Sequence, residues 1–141
     1  MTTKLNAYVS FRDTAREALE FYRSVLGGEV TVHTFGDSGM PHQPDEADRV
    51  MHGVLTTPDG LEFFAADTPT GMEHTPGGAI SMALFGDDHA KLSGYWDGLT
   101  AGGTVQMPLS PAPWGDTFGM CTDRFGVAWM INVTGSVSDG A

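Results

Sequence analysis

The chain of 141 residues is 40% apolar and 18% charged, which suits one compact domain or two small modules sharing a core. Seven basic against eighteen acidic side chains give a formal charge of −11, a surface that repels phosphate backbones and anionic lipid, so neither nucleic acid nor a membrane is an expected partner. Cys121 is the single cysteine, which excludes an internal disulfide, and no stretch approaches the roughly 20 apolar residues of a membrane span.

The N-terminus, Met1-Thr2-Thr3-Lys4, has neither the basic nor the apolar region of a secretion signal, so a cytoplasmic location is expected. Leu5 to Phe11 reads as a strand. Thr14 and Glu17 have the spacing of a capping box, and Ala15, Ala18, Leu19, Tyr22, Val25 and Leu26 follow at helical spacing. Gly27 ends that helix, because glycine tolerates backbone conformations closed to other residues. Glu29 to Phe35 reads as the second strand and Gly36 to Arg49 as a loop. Val50 to Thr57 and Leu61 to Ala66 are predicted strands paired across Pro58-Asp59-Gly60, and Asp67 to Gly78 is a connector.

The order then repeats. Ala79 to Phe85 is a strand, Asp87 and Asp88 can cap a helix, and Leu92, Tyr95, Trp96 and Leu99 give that helix one apolar face. Gly94 and Gly98 weaken it, so packing must hold it. Three strands follow at about Thr104 to Leu109, Phe118 to Thr122 and Val127 to Val133, with Pro108, Pro111 and Pro113 breaking the region between the first two. The tail from Thr134 is small and polar and is expected to fray. The pair Gly27-Gly28 recurs as Gly102-Gly103, 75 residues on, while the turn glycines Gly60 and Gly126 are 66 apart. The first half therefore holds about nine extra residues, placed in Gly36 to Arg49, either as a lid over a site or as a surface excursion with no role.

The unit of strand, helix and three strands is thus duplicated, and two segments are distinctive: Glu17-Ala18-Leu19-Glu20-Phe21-Tyr22 with Leu26-Gly27-Gly28, and Trp114-Gly115-Asp116-Thr117-Phe118-Gly119-Met120. The second segment continues into Thr122 to Val127 and Trp129-Met130-Ile131-Asn132. On these residues the chain resembles the vicinal oxygen chelate superfamily of glyoxalase, bleomycin-resistance and extradiol-dioxygenase proteins. More narrowly it resembles the PhnB-like branch, often described as 3-demethylubiquinone methyltransferase-like. The resemblance implies an α+β fold of paired βαβββ modules, about 4–67 and 78–133 of a single domain spanning 1–141. These form curved mixed sheets backed by helices, with a ligand in the concave face and a homodimer as assembly. No glycine-rich βα turn with a following acid supports methyl transfer from a nucleotide-like cofactor.

Metal-dependent members of the superfamily hold one divalent ion on His and Glu side chains of the first, fourth, fifth and eighth strands. Here those positions fall on Asn6, on Glu62 or Phe64, near Ser81, and on Met130. An amide, at most one carboxylate, a hydroxyl and a thioether grip a catalytic divalent ion poorly, so no metal or other cofactor is expected.

The remaining candidates have two readings each. His52 either lines the ligand site as a general base or is a strand histidine with a local hydrogen bond. Glu62 is a desolvated base if it faces inward and an unremarkable exposed carboxylate in the other register. Tyr8, on the same side of its strand as Asn6, either donates to a bound oxygen or belongs to the core. Trp114 either stacks on a planar ligand or meets a dimer partner. Trp129 points away from Met130 and is assigned to the core, and Cys121 is read as a small buried apolar residue. His33, His42, His74 and His89 form no closely spaced ligand pair with each other or with His52. Together these imply a small-molecule enzyme using His52 or Glu62, with Asn6, Tyr8, Ser81, Trp114 and Met130 around the substrate. The alternatives are a sequestration protein or a metal-dependent lyase or dioxygenase with ligands from unexpected strands.

Overall fold

In a computed structural model, which describes residues 3, 5–39, 43–69 and 80–135, helix α1 spans Ala15–Leu26 and buries Ala15, Ala18, Leu19, Tyr22 and Leu26, the stripe its spacing predicts. Its start differs from the expectation. Thr14 occupies the N-cap position but makes no side-chain cap bond. The orphan N–H of Ala15 donates instead to Oδ1 of Asp67, 2.9 Å away, and Oδ2 of the same buried carboxylate accepts from Val50 N at 3.0 Å. An acid far along the chain thus serves the helix N-terminus, where negative charge is also favoured by the dipole.

Four strands carry this helix: β1 (Tyr8–Phe11), β2 (Glu29–Thr34), β3 (Val50–Thr56) and β4 (Glu62–Asp67), ordered β1-β4-β3-β2. The β1–β4 pair is parallel and the other two are antiparallel. Residues 5–7 of the predicted first strand precede β1. Phe35 leaves β2 to open a four-residue helix, α2 (Phe35–Ser38), and Pro44–Glu46 make a 3-10 turn, so part of the predicted loop is ordered; its residues 40–42 lie outside the described residues. Tyr22 meets Phe63 edge-on at 5.4 Å, and Gly53 lies under Leu19, which identifies the sheet face that α1 covers. Phe63, Ala65, Gly53 and Leu55 point to it.

The second half repeats the design. Strands β5 (Met82–Gly86), β6 (Thr104–Pro111), β7 (Thr117–Thr122) and β8 (Ala128–Val133) are ordered β5-β8-β7-β6, with β5–β8 parallel and the others antiparallel. Helix α3 (His89–Thr100) buries Leu92, Tyr95 and Leu99. Asp88 caps it, accepting from Lys91 N at 3.0 Å. The prolines do not break β6, which runs to Pro111: among the described residues it is the edge strand beside β7, joined to it through a pairing with two register shifts, so residues without an N–H are tolerated. The tail is tied down where it is described, since Thr134 N donates to Gly86 O at 2.7 Å and Gly135 N to Asp116 Oδ1 at 2.7 Å. The repeat extends to single bonds. Thr57 N donates to Leu61 O and Gly60 N to Thr57 O, as Asp123 N does to Val127 O and Gly126 N to Asp123 O.

The chain divides into two compact units, Met1–Pro76 and Gly77–Ala141. Most of the predicted connector, residues 70–78, lies outside the described residues, as do His42 and His74. No described helix is long and apolar enough to cross a membrane.

Candidate functional site

Strand alternation leaves the side chains of Asn6, Tyr8, Glu62, Phe64 and His52 on the face of the first sheet turned away from α1. The parallel register sets Tyr8 beside Phe64, which extends to Asn6 beside Glu62. The two meet: Asn6 Nδ2 donates to Glu62 Oε1 at 2.8 Å, and both are half-buried. Of the two faces open to Glu62, the structure thus selects the one away from the helix, because its neighbour Phe63 is taken by Tyr22. His52 packs over Phe64 at 5.2 Å between centroids and lies 6.5 Å from the Tyr8 ring. A carboxylate oriented by an amide, a phenol and an imidazole therefore share one surface, with Phe64 as its apolar floor.

The superfamily's metal does not fit the donors at these positions. Asn6 turns its N–H toward Glu62, the one strong oxygen donor there, and the donor type found beside it is an amide rather than an imidazole. Among the described residues no group of three or more His, Cys, Asp or Glu side chains gathers where it could hold an ion.

The other predicted site residues belong to the second unit. Ser81 is exposed just ahead of β5. Met130, half-buried on β8, stands in a row with Ala83, Met120 and Met107 on the face away from α3. Trp129 on the opposite face is buried and donates its indole N–H to Asp123 Oδ2 at 2.8 Å. Trp114 is 62% exposed and meets Phe118 edge-on at 5.7 Å. Phe118 lies opposite Asn132, which lies opposite Phe85, itself 77% exposed. Asn132 donates to Asp116 Oδ2 at 2.9 Å; that bond first, and the Gly135 N–H second, hold the Asp116 carboxyl below its ordinary range. Trp114 and Phe118 sit in one of the segments that carry the family resemblance, but their pairing with Asn132 and Phe85 depends on register. Equally invisible in the sequence is that His33 and His52, 19 residues apart, stand directly opposite each other.

Comparison with known proteins matches residues 4–131 to the family model described as Glyoxalase/Bleomycin resistance protein/Dioxygenase superfamily. Protein YjdN of Escherichia coli (strain K12) is 28% identical over 142 residues, covering 92% of this chain and 94% of its own. Among solved structures, protein PA1353 from Pseudomonas aeruginosa is 36% identical with a TM-score of 0.85, over 94% of this chain and 98% of the other. A putative 3-demethylubiquinone-9 3-methyltransferase, PhnB protein, from Bacillus cereus is 24% identical with a TM-score of 0.72, over 94% of this chain and all of the other, and shares the fold.

Proposed function

The chain belongs to the glyoxalase/bleomycin resistance protein/dioxygenase superfamily, and from that membership we propose that it is a small-molecule enzyme that works without the superfamily's metal, on the face of its first sheet turned away from α1. The observation that carries this reading is the 2.8 Å bond from Asn6 to Glu62 beside Tyr8 and His52. Glu62 is the base. With Oε1 held by the amide, the carboxylate is fixed in direction and can take a proton from carbon or oxygen of a bound ligand. The Tyr8 hydroxyl donates to the ligand oxygen that gains charge, and His52 borders the ligand beside Phe64. An oxygenated molecule with an acidic C–H or O–H, such as a hydroxy acid or diketone, fits this set.

The test is a thermal-shift and turnover screen of such compounds in EDTA. We expect stabilisation without added metal, and a loss of turnover of about 10²- to 10⁴-fold in Glu62→Gln with unchanged melting. Stabilisation that requires a divalent ion, or full turnover by Glu62→Gln, overturns the reading.

A second reading, sequestration of an apolar aromatic molecule, is favoured by the second sheet, where Phe85, Trp114, Met107 and Met120 are exposed. It expects planar aromatics to stabilise the chain, with Trp114→Ala abolishing the shift. Homodimerisation and a cytoplasmic location belong to the same proposal; sedimentation at micromolar concentration checks the first.

A further inference from the structure

His33 on β2 and His52 on β3 are register partners in the first sheet. Directly opposed residues of a regular antiparallel pair project to the same face, with Cβ atoms about 4.5–5.5 Å apart; His33 and His52 are the last such pair before the register shifts at Thr34. The contacts of His52 with Phe64 and Tyr8 fix that face as the one away from α1. His33 is exposed and His52 half-buried, so solvent ions reach the pair. We propose that His33 and His52 form a two-imidazole chelate for a borderline divalent transition ion (Ni²⁺, Cu²⁺ or Zn²⁺).

Imidazole nitrogens bind such an ion at about 2.0–2.1 Å, so the two donors need to stand about 3 Å apart, a span that rotation about χ1 and χ2 supplies from opposed Cβ atoms. Imidazole selects this class of ion over Mg²⁺ and Ca²⁺, which want carboxylate and carbonyl oxygen. With two protein ligands, water fills the other positions. The ion is separate from the Asn6–Glu62 pair. Glu62 and Glu29 both lie opposite Thr56, four residues along β3 from His52, or about 13 Å along the strand. The chelate therefore takes neither carboxylate, and the inference does not rest on Glu62 being a base.

The experiment titrates the tag-free, chelator-stripped full chain with Ni²⁺ by calorimetry in 0.5 M NaCl, which suppresses diffuse attraction to the acidic surface. Zn²⁺ is followed in parallel by NMR of the histidine rings. We expect one ion per chain, with His33 and His52 ring signals moving together and those of His89 unmoved. His33→Ala and His33→Gln should each weaken binding at least tenfold with unchanged melting of the metal-free protein, while Glu62→Gln binds as the parent chain does. An affinity of the His33 variants within threefold of the parent, or ring shifts confined to other histidines, overturns the chelate. So does a Glu62→Gln chain that no longer binds, which moves the ion to the superfamily position.

Discussion

Cys121 lies on β7 with 1% of its surface exposed. Burial, and after it the negative charge of Asp123, pushes its thiol up to about 11 from an ordinary value of 9.0. The thiolate is the nucleophile, so the folded chain should react with a disulfide reagent at pH 8 only as fast as it opens. The same shift sets an alkaline limit. A folded-state value above the unfolded one contributes stability that is complete below pH 9 and lost as pH rises toward 11, a change of about 2–3 kcal/mol. Tyr95, raised by burial and then by Asp88, adds in the same direction. Chemical denaturation from pH 8 to 11 should show this decline, with Cys121→Ala starting lower but declining less. The assignment of Cys121 as a buried apolar residue needed only its strand and the absence of cations near it in the sequence. Glu62 was harder. Alternation puts it with Phe64 but cannot say which face is covered; that is decided by Phe63 meeting Tyr22 from another element.

The helices differ in how they begin, and here sequence spacing misled. Thr14 and Glu17 have the spacing of a cap, yet the first turn of α1 is served by Asp67 from the end of β4. Local capping was readable for α3, where Asp88 bonds its own helix, because both partners lie within three residues. A carboxylate brought 52 residues along the chain leaves no periodic signal. Stability should reveal the difference. Thr14→Ala is expected to cost under about 0.5 kcal/mol, less than the ~1 kcal/mol typical of a working cap. Asp67→Ala strips two buried N–H groups, those of Ala15 and Val50, of their acceptor and should cost about 2–4 kcal/mol. Urea denaturation of both variants measures this; equal costs would mean that Thr14 does cap the helix.

Across the whole chain, what the sequence displayed best was its duplication, because glycine is demanded by geometry that both halves share. Gly28 follows α1 with φ +96°, and a Cβ there would run into the carbonyl oxygen of Thr56 and stand 2.8 Å from Thr57 Cα. Gly103 follows α3, and its Cβ would run into the Thr122 carbonyl and stand 3.0 Å from Asp123 Cα. Each glycine lets the corner after a helix close onto the end of a strand in the same half, so the motif survives in sequence. The β2–β3 register has no such marker, which is why the facing of His33 and His52 stayed hidden. If the two corners do the same work, Gly28→Ala and Gly103→Ala should each cost more than about 2 kcal/mol, since backbone rather than a flexible side chain must move. Gly28→Ala should cost the more of the two, because it adds a strained positive φ to the collision. Gly60→Ala, with φ +91° but open space around the added methyl, should cost only the backbone strain, about 1–2 kcal/mol. Denaturation midpoints for the three variants test the ranking; a Gly103→Ala chain as stable as the parent would show that the second corner has slack the first does not.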